Sequence, residues 1–391
     1  MNTHKIFNIP LFSLGFRVFF ALAGLSALIL MVLWNAIFKG TLNIDNYFDS
    51  TYWHAHEMLL GYSTAVIAGF LLTAVKNWTN QPTVTGDKLA GLALLWLYGR
   101  ILPFYSGLLP DALIALVDFA FIPVLAYEIS KPIIKTQHIK SLVFIGLLVL
   151  LTIGNGLVHA QLLGFYENTA WAGIQLVIAT IIILILVLAG RVLPFFIERG
   201  LSGTLIIKNP LIDALSIGSA VVTFALQIGI QSGTLLALVA FFAAGVNSVR
   251  LYGWYVQRIW YVPLLWILYV GYCWIILGFV LSAFSALHFL SSVLAMHAFT
   301  VGGIGVLTLG MMARVSLGHT GRPLKASNAI AIAFVLINIT ALIRVLIPLI
   351  LPNWYDTLIY ISTLTWLAAF ALFMFAYAPI LTQSRIDGRI D

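Results

Sequence analysis

The apolar runs of this chain are too long and too numerous for a water-soluble fold. Twelve stretches of about 20 mostly apolar residues, bounded by charge, Pro or Gly clusters, lie at 16–38, 54–75, 88–109, 111–130, 141–163, 169–190, 210–230, 234–250, 262–283, 286–312, 327–350 and 356–382. Charged residues make up 8% of the sequence and hydrophobic ones 62%, against roughly 25% charge in soluble domains, so no charged coat exists for a soluble surface. The sequence therefore predicts an all-α integral membrane bundle of about 12 transmembrane helices, with 1–391 forming a single polytopic membrane domain. The first run is too long and too uniformly apolar for a cleaved signal peptide and is expected to remain as a helix. One cysteine, Cys273, excludes a disulfide framework and argues against thiolate-ligated zinc or iron–sulfur centres.

Orientation follows from the basic residues, which resist translocation. With the N-terminus inside, every Lys and Arg lies at or near the cytoplasmic face except Lys39, Arg100 and Arg344, while Asp45, Asp49, Asp111, Glu167 and Asp356 fall outside. Both termini are expected to be cytoplasmic. The formal net charge of +7 is then explained by topology and anionic lipid, with no nucleic-acid partner.

The chain also carries an internal echo. Shifted by 241 positions, the second run aligns with the tenth at His56/His297, Gly61/Gly302, Gly69/Gly310, Thr79/Thr320 and Pro82/Pro323. A shift of 123 aligns Arg191-Val192 and Arg199 with Arg314-Val315 and Arg322. Three pseudo-repeated four-helix units would follow, with His56 and His297 at equal depth; chance similarity of helix ends is the competing explanation.

Ionisable side chains inside a bilayer are costly, so those present are functional candidates. Trp53-His54-Ala55-His56-Glu57-Met58 is the richest segment. Positions two apart on a helix point about 200° from each other, so His54 and His56 are expected to serve different sides of it. Glu57 shares a helical face with His54, suited to a second metal, a tautomer-fixing contact or proton traffic. Facing imidazoles of His56 and His297 would supply axial ligands to a haem, with Arg100 or Arg344 as partners for its propionates. His4, His138 and His319 fall in cytoplasmic segments, and His159 and His288 near outer helix ends. Val301-Gly302-Gly303-Ile304-Gly305 lies within an apolar helix without a preceding strand, so it is no nucleotide loop; its glycines would let a helix or a flat macrocycle approach.

These segments, with Ala68-Gly69-Phe70-Leu71-Leu72-Thr73-Ala74-Val75, Asn77-Trp78-Thr79, Met311-Met312-Ala313-Arg314-Val315 and Leu317-Gly318-His319-Thr320-Gly321-Arg322-Pro323, resemble the NnrS family. Phe16-Arg17-Val18-Phe19-Phe20, Gly99-Arg100 and Gly190-Arg191-Val192-Leu193-Pro194 add to the resemblance, which runs over nearly the whole chain. It implies a bacterial inner-membrane protein of about twelve helices containing haem, expected to be of the b type, and copper. It also implies a link to nitric-oxide metabolism, denitrification and nitrosative stress, with the electron donor unspecified. The family often has His where this chain has Tyr269. A weaker architectural resemblance, to the core of haem-copper oxidases and nitric-oxide reductases, meets a departure: the sixth and seventh runs contain no His, so the usual three-histidine copper site is absent as such.

Two functions compete on these residues. The first is a haem-dependent redox protein acting on nitric oxide or its adducts, with His56 and His297 on haem and His54 near a second centre. Glu57, Tyr269 and Arg344 would be its supporting groups, and Arg314, His319 and Arg322 a cytoplasmic motif. The second is a twelve-helix transporter of a metal, haem or small nitrogen species, with the histidines as passing ligands.

Overall fold

The computed structural model describes residues 7, 9–43 and 45–388. His4, Lys5 and Arg389, assigned above to the cytoplasmic side, lie outside the described residues. Every regular element among the described residues is helical. The long helices, in chain order, are α1 (Gly15–Phe38), α2 (Ser50–Thr79), α3 (Gly86–Ile101), α4 (Asp111–Lys135), α5 (Leu142–Leu162), α6 (Thr169–Gly200), α7 (Pro210–Gly229), α8 (Thr234–Gly253), α9 (Pro263–Ala286), α10 (Ser292–His319), α11 (Asn328–Ile350) and α12 (Tyr355–Thr382). Eleven of these are long and apolar enough to cross a membrane, and the chain is a multi-pass membrane protein. The remaining helix, α3, answers to the run at 88–109 but has only 16 residues, because Pro103 lies in a tighter 3-10 turn over Leu102–Tyr105.

The chain forms two compact units. Unit 1 comprises Met1–Val177, Arg314–Pro323 and Phe373–Asp391, and unit 2 comprises Ile178–Ala313 and Leu324–Leu372. In unit 1, α1 packs along α2, and α4 packs against α2, α3 and α5. Arg17 is fully buried on α1. Its Nη1 donates to the carbonyls of Ile380, Leu381 and Gln383 at 3.2, 3.2 and 2.6 Å, so a cation satisfies the last carbonyls of α12, which have no intrahelical donor. In unit 2, α9 packs against α8 and α10, and α7 against α8.

The backbone repeats what the sequence shift suggests. Helices α2, α3 and α4 open at Ser50, Gly86 and Asp111, and three later spans open at Ser292, Asn328 and Pro352, displaced by 242, 242 and 241 positions. The helices that carry His56 and His297 also loosen at the same place. Directly after His56 the chain runs as a π-helix over Glu57–Ser63, and directly after His297 over Ala298–Gly305. Such wide turns are rare and cluster at functional sites. Thr79 and Thr320, which match under the same shift, each donate to the carbonyl four residues earlier at 2.7 Å.

Candidate functional site

Several polar side chains that unit 1 buries meet in one cluster. His56 comes from the first turns of α2, Arg100 from the end of α3, Asp118 from the second turn of α4, and Asn155 and His159 from one face of α5. Two glycines make the convergence possible. A side chain at Gly99 would meet the Asp118 backbone 3.2 Å away, so glycine there eases the close approach of α4 at which Arg100 reaches Asp118. A side chain at Gly61, within the π-helix, would press on Arg100 and Glu57 at 3.0–3.2 Å. The indole N–H of Trp96 donates to the Gly61 carbonyl at 3.1 Å, fixing α3 against the widened turn.

Asp118 is the hub. Its Oδ1 pairs with Arg100, and its Oδ2 lies 2.8 Å from His159 Nε2 and 3.1 Å from His56 Nε2 and accepts from Asn155 Nδ2 at 2.9 Å. The other His56 nitrogen, Nδ1, lies 3.1 Å from Glu57 Oε1, which is 3.3 Å from Arg100 Nη1. His56, Glu57, Asp118, Asn155 and His159 are all buried, and the Arg100 side chain is 10% exposed.

The hydrogen-bond partners restrict the tautomers. Facing a carboxylate, His159 Nε2 must carry hydrogen, and its Nδ1 then accepts the hydroxyl of Tyr47 at 3.2 Å. His56 faces a carboxylate oxygen with each nitrogen, and its Nε2 also lies 3.2 Å from Asn155 Oδ1. Two carboxylates oppose one guanidinium in a region of low dielectric, where an unpaired charge is expensive. A metal cation would offset that imbalance.

The donor set fits one. One ligand atom each from His56, Asp118 and His159 lie within 4.8 Å of one another. Two imidazoles and a carboxylate suit a first-row transition ion, and Glu57 behind His56 and Tyr47 behind His159 are the outer partners such ligands use. Glu57 Oε2 is buried without a hydrogen-bond partner among the described residues. A haem suits His56 less well, because both of its nitrogens are taken by carboxylates and the Phe48 ring lies 4.3 Å from its own.

A family model described as NnrS protein matches residues 10–385. The chain belongs to the NnrS family. No curated protein matches closely enough to add to that.

The motif residues of this NnrS family member fall into three groups. Arg100 and Glu57 join His56, whereas Glu57 was expected to share a face with His54; it folds back on the adjacent imidazole at the entry to the π-helix, and His54 instead stacks on Trp34 at 4.2 Å. In unit 2, His297 donates from Nδ1 to the Val293 carbonyl at 2.7 Å, which leaves Nε2 as its lone-pair nitrogen. Gly302, Gly303 and Gly305 admit Trp274, Ile275 and Trp366, so these glycines accommodate neighbouring helices. Arg344 donates to the Tyr355 hydroxyl at 3.0 Å, and Tyr269 packs between Tyr255 and Trp260. The third group sits where α1 begins: Arg314 is buried, the His319 ring lies 5.8 Å from Phe16, its carbonyl accepts from Arg385, and Arg322 donates to Gln383. These contacts tie the motif to the C-terminal segment.

Asp118, Asn155 and Tyr47 were not among the expected site residues, and His159 was placed only near a helix end. Two sequence features mark them. Asp118 is the one charge between Asp111 and Glu128 in an otherwise apolar helix, and Asn155 and His159 stand four apart on an apolar helix and so share its face.

Proposed function

We propose that this NnrS family protein handles nitric oxide at a metal centre held by His56, Asp118 and His159. The observation that carries the reading is the buried set of three ligand atoms within 4.8 Å. Copper is the ion of choice, by its place at the top of the affinity order for nitrogen and oxygen donors and by the family resemblance. Three protein ligands leave a position open, and a bound ion supplies a site where a diatomic can coordinate and exchange electrons. The chain's own residues do the rest. Asp118 holds both imidazoles toward one point, Glu57 orients His56, the Tyr47 hydroxyl orients His159, and Arg100 offsets the carboxylate charge. The surrounding apolar helices exclude water.

The haem that the resemblance implies is assigned to His297. Its Nδ1–H is fixed on the Val293 carbonyl, so Nε2 is the coordinating nitrogen. The protein is read as lying in the bacterial inner membrane with the 39–49 loop outside, which puts the His56 centre in the outer leaflet. A second reading, a metal transporter using the same ligands in passing, is favoured by the ionisable cluster itself, since such clusters mark ion paths through membranes.

Metal and haem analysis of purified protein, with optical spectra before and after nitric oxide, tests the assignment. His159→Ala and Asp118→Asn should lower metal content about tenfold or more and leave the haem band intact, while His297→Ala should do the reverse. If His56→Ala and His297→Ala abolish the same band, one haem uses both and the separate-centre assignment is wrong. Wild-type protein without transition metal, but with metal flux in liposomes, favours the transporter.

A further inference from the structure

A cavity of about 490 Å³ opens beside the loop that leads into α2, lined by Asn43, Asp45, Asn46, Phe48, Ser50 and Trp53 among others. Asn43, Asp45 and Ser50 are exposed, so the cavity is continuous with the surface, whereas Phe48 and Trp53, which also line it, are buried. Phe48 has two neighbourhoods. It lines the cavity, and its ring centroid lies 4.3 Å from that of His56 and 6.0 Å from that of His159. One residue that lines this solvent-reached hollow thus also lies against two imidazoles that are themselves buried.

We propose that Phe48 decides what passes from this cavity to the His56–Asp118–His159 centre, an inference that rests on reading that cluster as a metal site. Its position suits the task. Phe48 belongs to the short link before α2 rather than to the helix, so a change of side-chain rotamer would open the path without displacing His56. The neighbours hold the link in place: the Phe48 amide donates to the Asn46 side chain at 3.0 Å, and the Tyr47 amide to the Pro103 carbonyl at 2.9 Å. Asn43, Asp45, Asn46 and Ser50 would hold a hydrated cation or a small polar molecule outside the ring. The apolar ring passes a bare ion or a diatomic more readily than a hydrated or chelated one. Selection is then by size and by willingness to shed water, made before any ligand bond forms.

The test is kinetic. Metal-free full-length protein in detergent is loaded with cobalt(II), whose visible bands report His and carboxylate coordination, and is then stripped with EDTA. Phe48→Ala should speed loading and stripping together, each by about tenfold, which corresponds to about 1.4 kcal/mol removed from the opening barrier. The dissociation constant should stay within about threefold, since a gate changes both rates and a structural support changes affinity. Phe48→Leu should lie between, and it decides the matter if Phe48→Ala does not fold; Phe48→Trp should slow both rates. Cobalt that binds with unchanged rates in the variants overturns the role of Phe48 alone, as does a change confined to one of the two rates. Wild-type protein that gives no cobalt bands overturns the metal centre and the gate with it.

Discussion

The helix that carries His56 and the helix that carries His297 have the same backbone and opposite surroundings. Each begins at an equivalent position, runs about two turns to its histidine, and widens at once into a π-helix containing an equivalent glycine. Around His56 stand Glu57, Arg100 and Asp118. The positions 241 residues later hold Ala298, Ala341 and Ile359, all buried and apolar. His297 donates to the main-chain carbonyl of Val293. The repeated element is thus the framework that presents an imidazole at a widened turn, and the chemistry is set by which side chains the neighbouring helices add. One copy sets its imidazole between two carboxylates, and the other sets its imidazole's Nδ1–H on a main-chain carbonyl.

Removing the hub should separate the two copies most. Asp118→Ala leaves Arg100, His56 and His159 without their shared acceptor, and is expected to destabilise the protein by about 3–5 kcal/mol, as expected when one partner of a buried ion pair is lost. Ile359→Val, at the equivalent position, should cost only about 1 kcal/mol. Thermal unfolding in detergent compares them, and equal shifts would mean that the acid does not hold the cluster together.

A methyl group added at the equivalent glycines should act differently. At Gly302 it meets the Trp274 ring at 2.6 Å, a rigid neighbour, and should cost about 1–3 kcal/mol. At Gly61 it meets the ends of Arg100 and Glu57, which can yield. Gly61→Ala should therefore change metal content more than stability, and Gly302→Ala the reverse. Thermal melts paired with metal analysis would show the pattern, and identical behaviour would erase the distinction drawn here.

The smallest effect belongs to Tyr47→Phe. Losing its hydrogen bond to His159 should cost about 0.5–1.5 kcal/mol. Burial, with Asp111 adding to it, holds the Tyr47 phenol above the ordinary tyrosine range. A raised value stabilises the protonated form, so this contribution is complete below about pH 10 and fades as pH rises beyond it. The difference between wild type and Tyr47→Phe should hence be flat from about pH 6 to 9, and a slope there would show that another group titrates through this contact.

Much of the architecture can be read from the chain. Apolar length gives the spans because a bilayer admits only helices that satisfy their own backbone, and the 241-residue shift picks out the equivalence of α2 and α10 that the paired π-helices then display. The site is only half legible in the same way. His56, Glu57 and Arg100 stand out as ionisable groups in apolar runs. Asp118 meets the same criterion, but nothing local connects residue 118 with residue 56, and the helical wheel that pairs Glu57 with His54 assumes 3.6 residues per turn where the chain runs wider.

The sequence by itself determined the helices, their order and the family, because these depend on periodicity, apolar length and short contiguous motifs. Tertiary structure alone decided which charges meet. Gly61 and Gly99 let α2, α3 and α4 come close where Arg100 and both carboxylates pair, α5 adds Asn155 and His159, and the Phe48 ring lies against His56 from the loop. Side-chain contacts across four helices depend on close approach and rotation about each helix axis, and packing sets both.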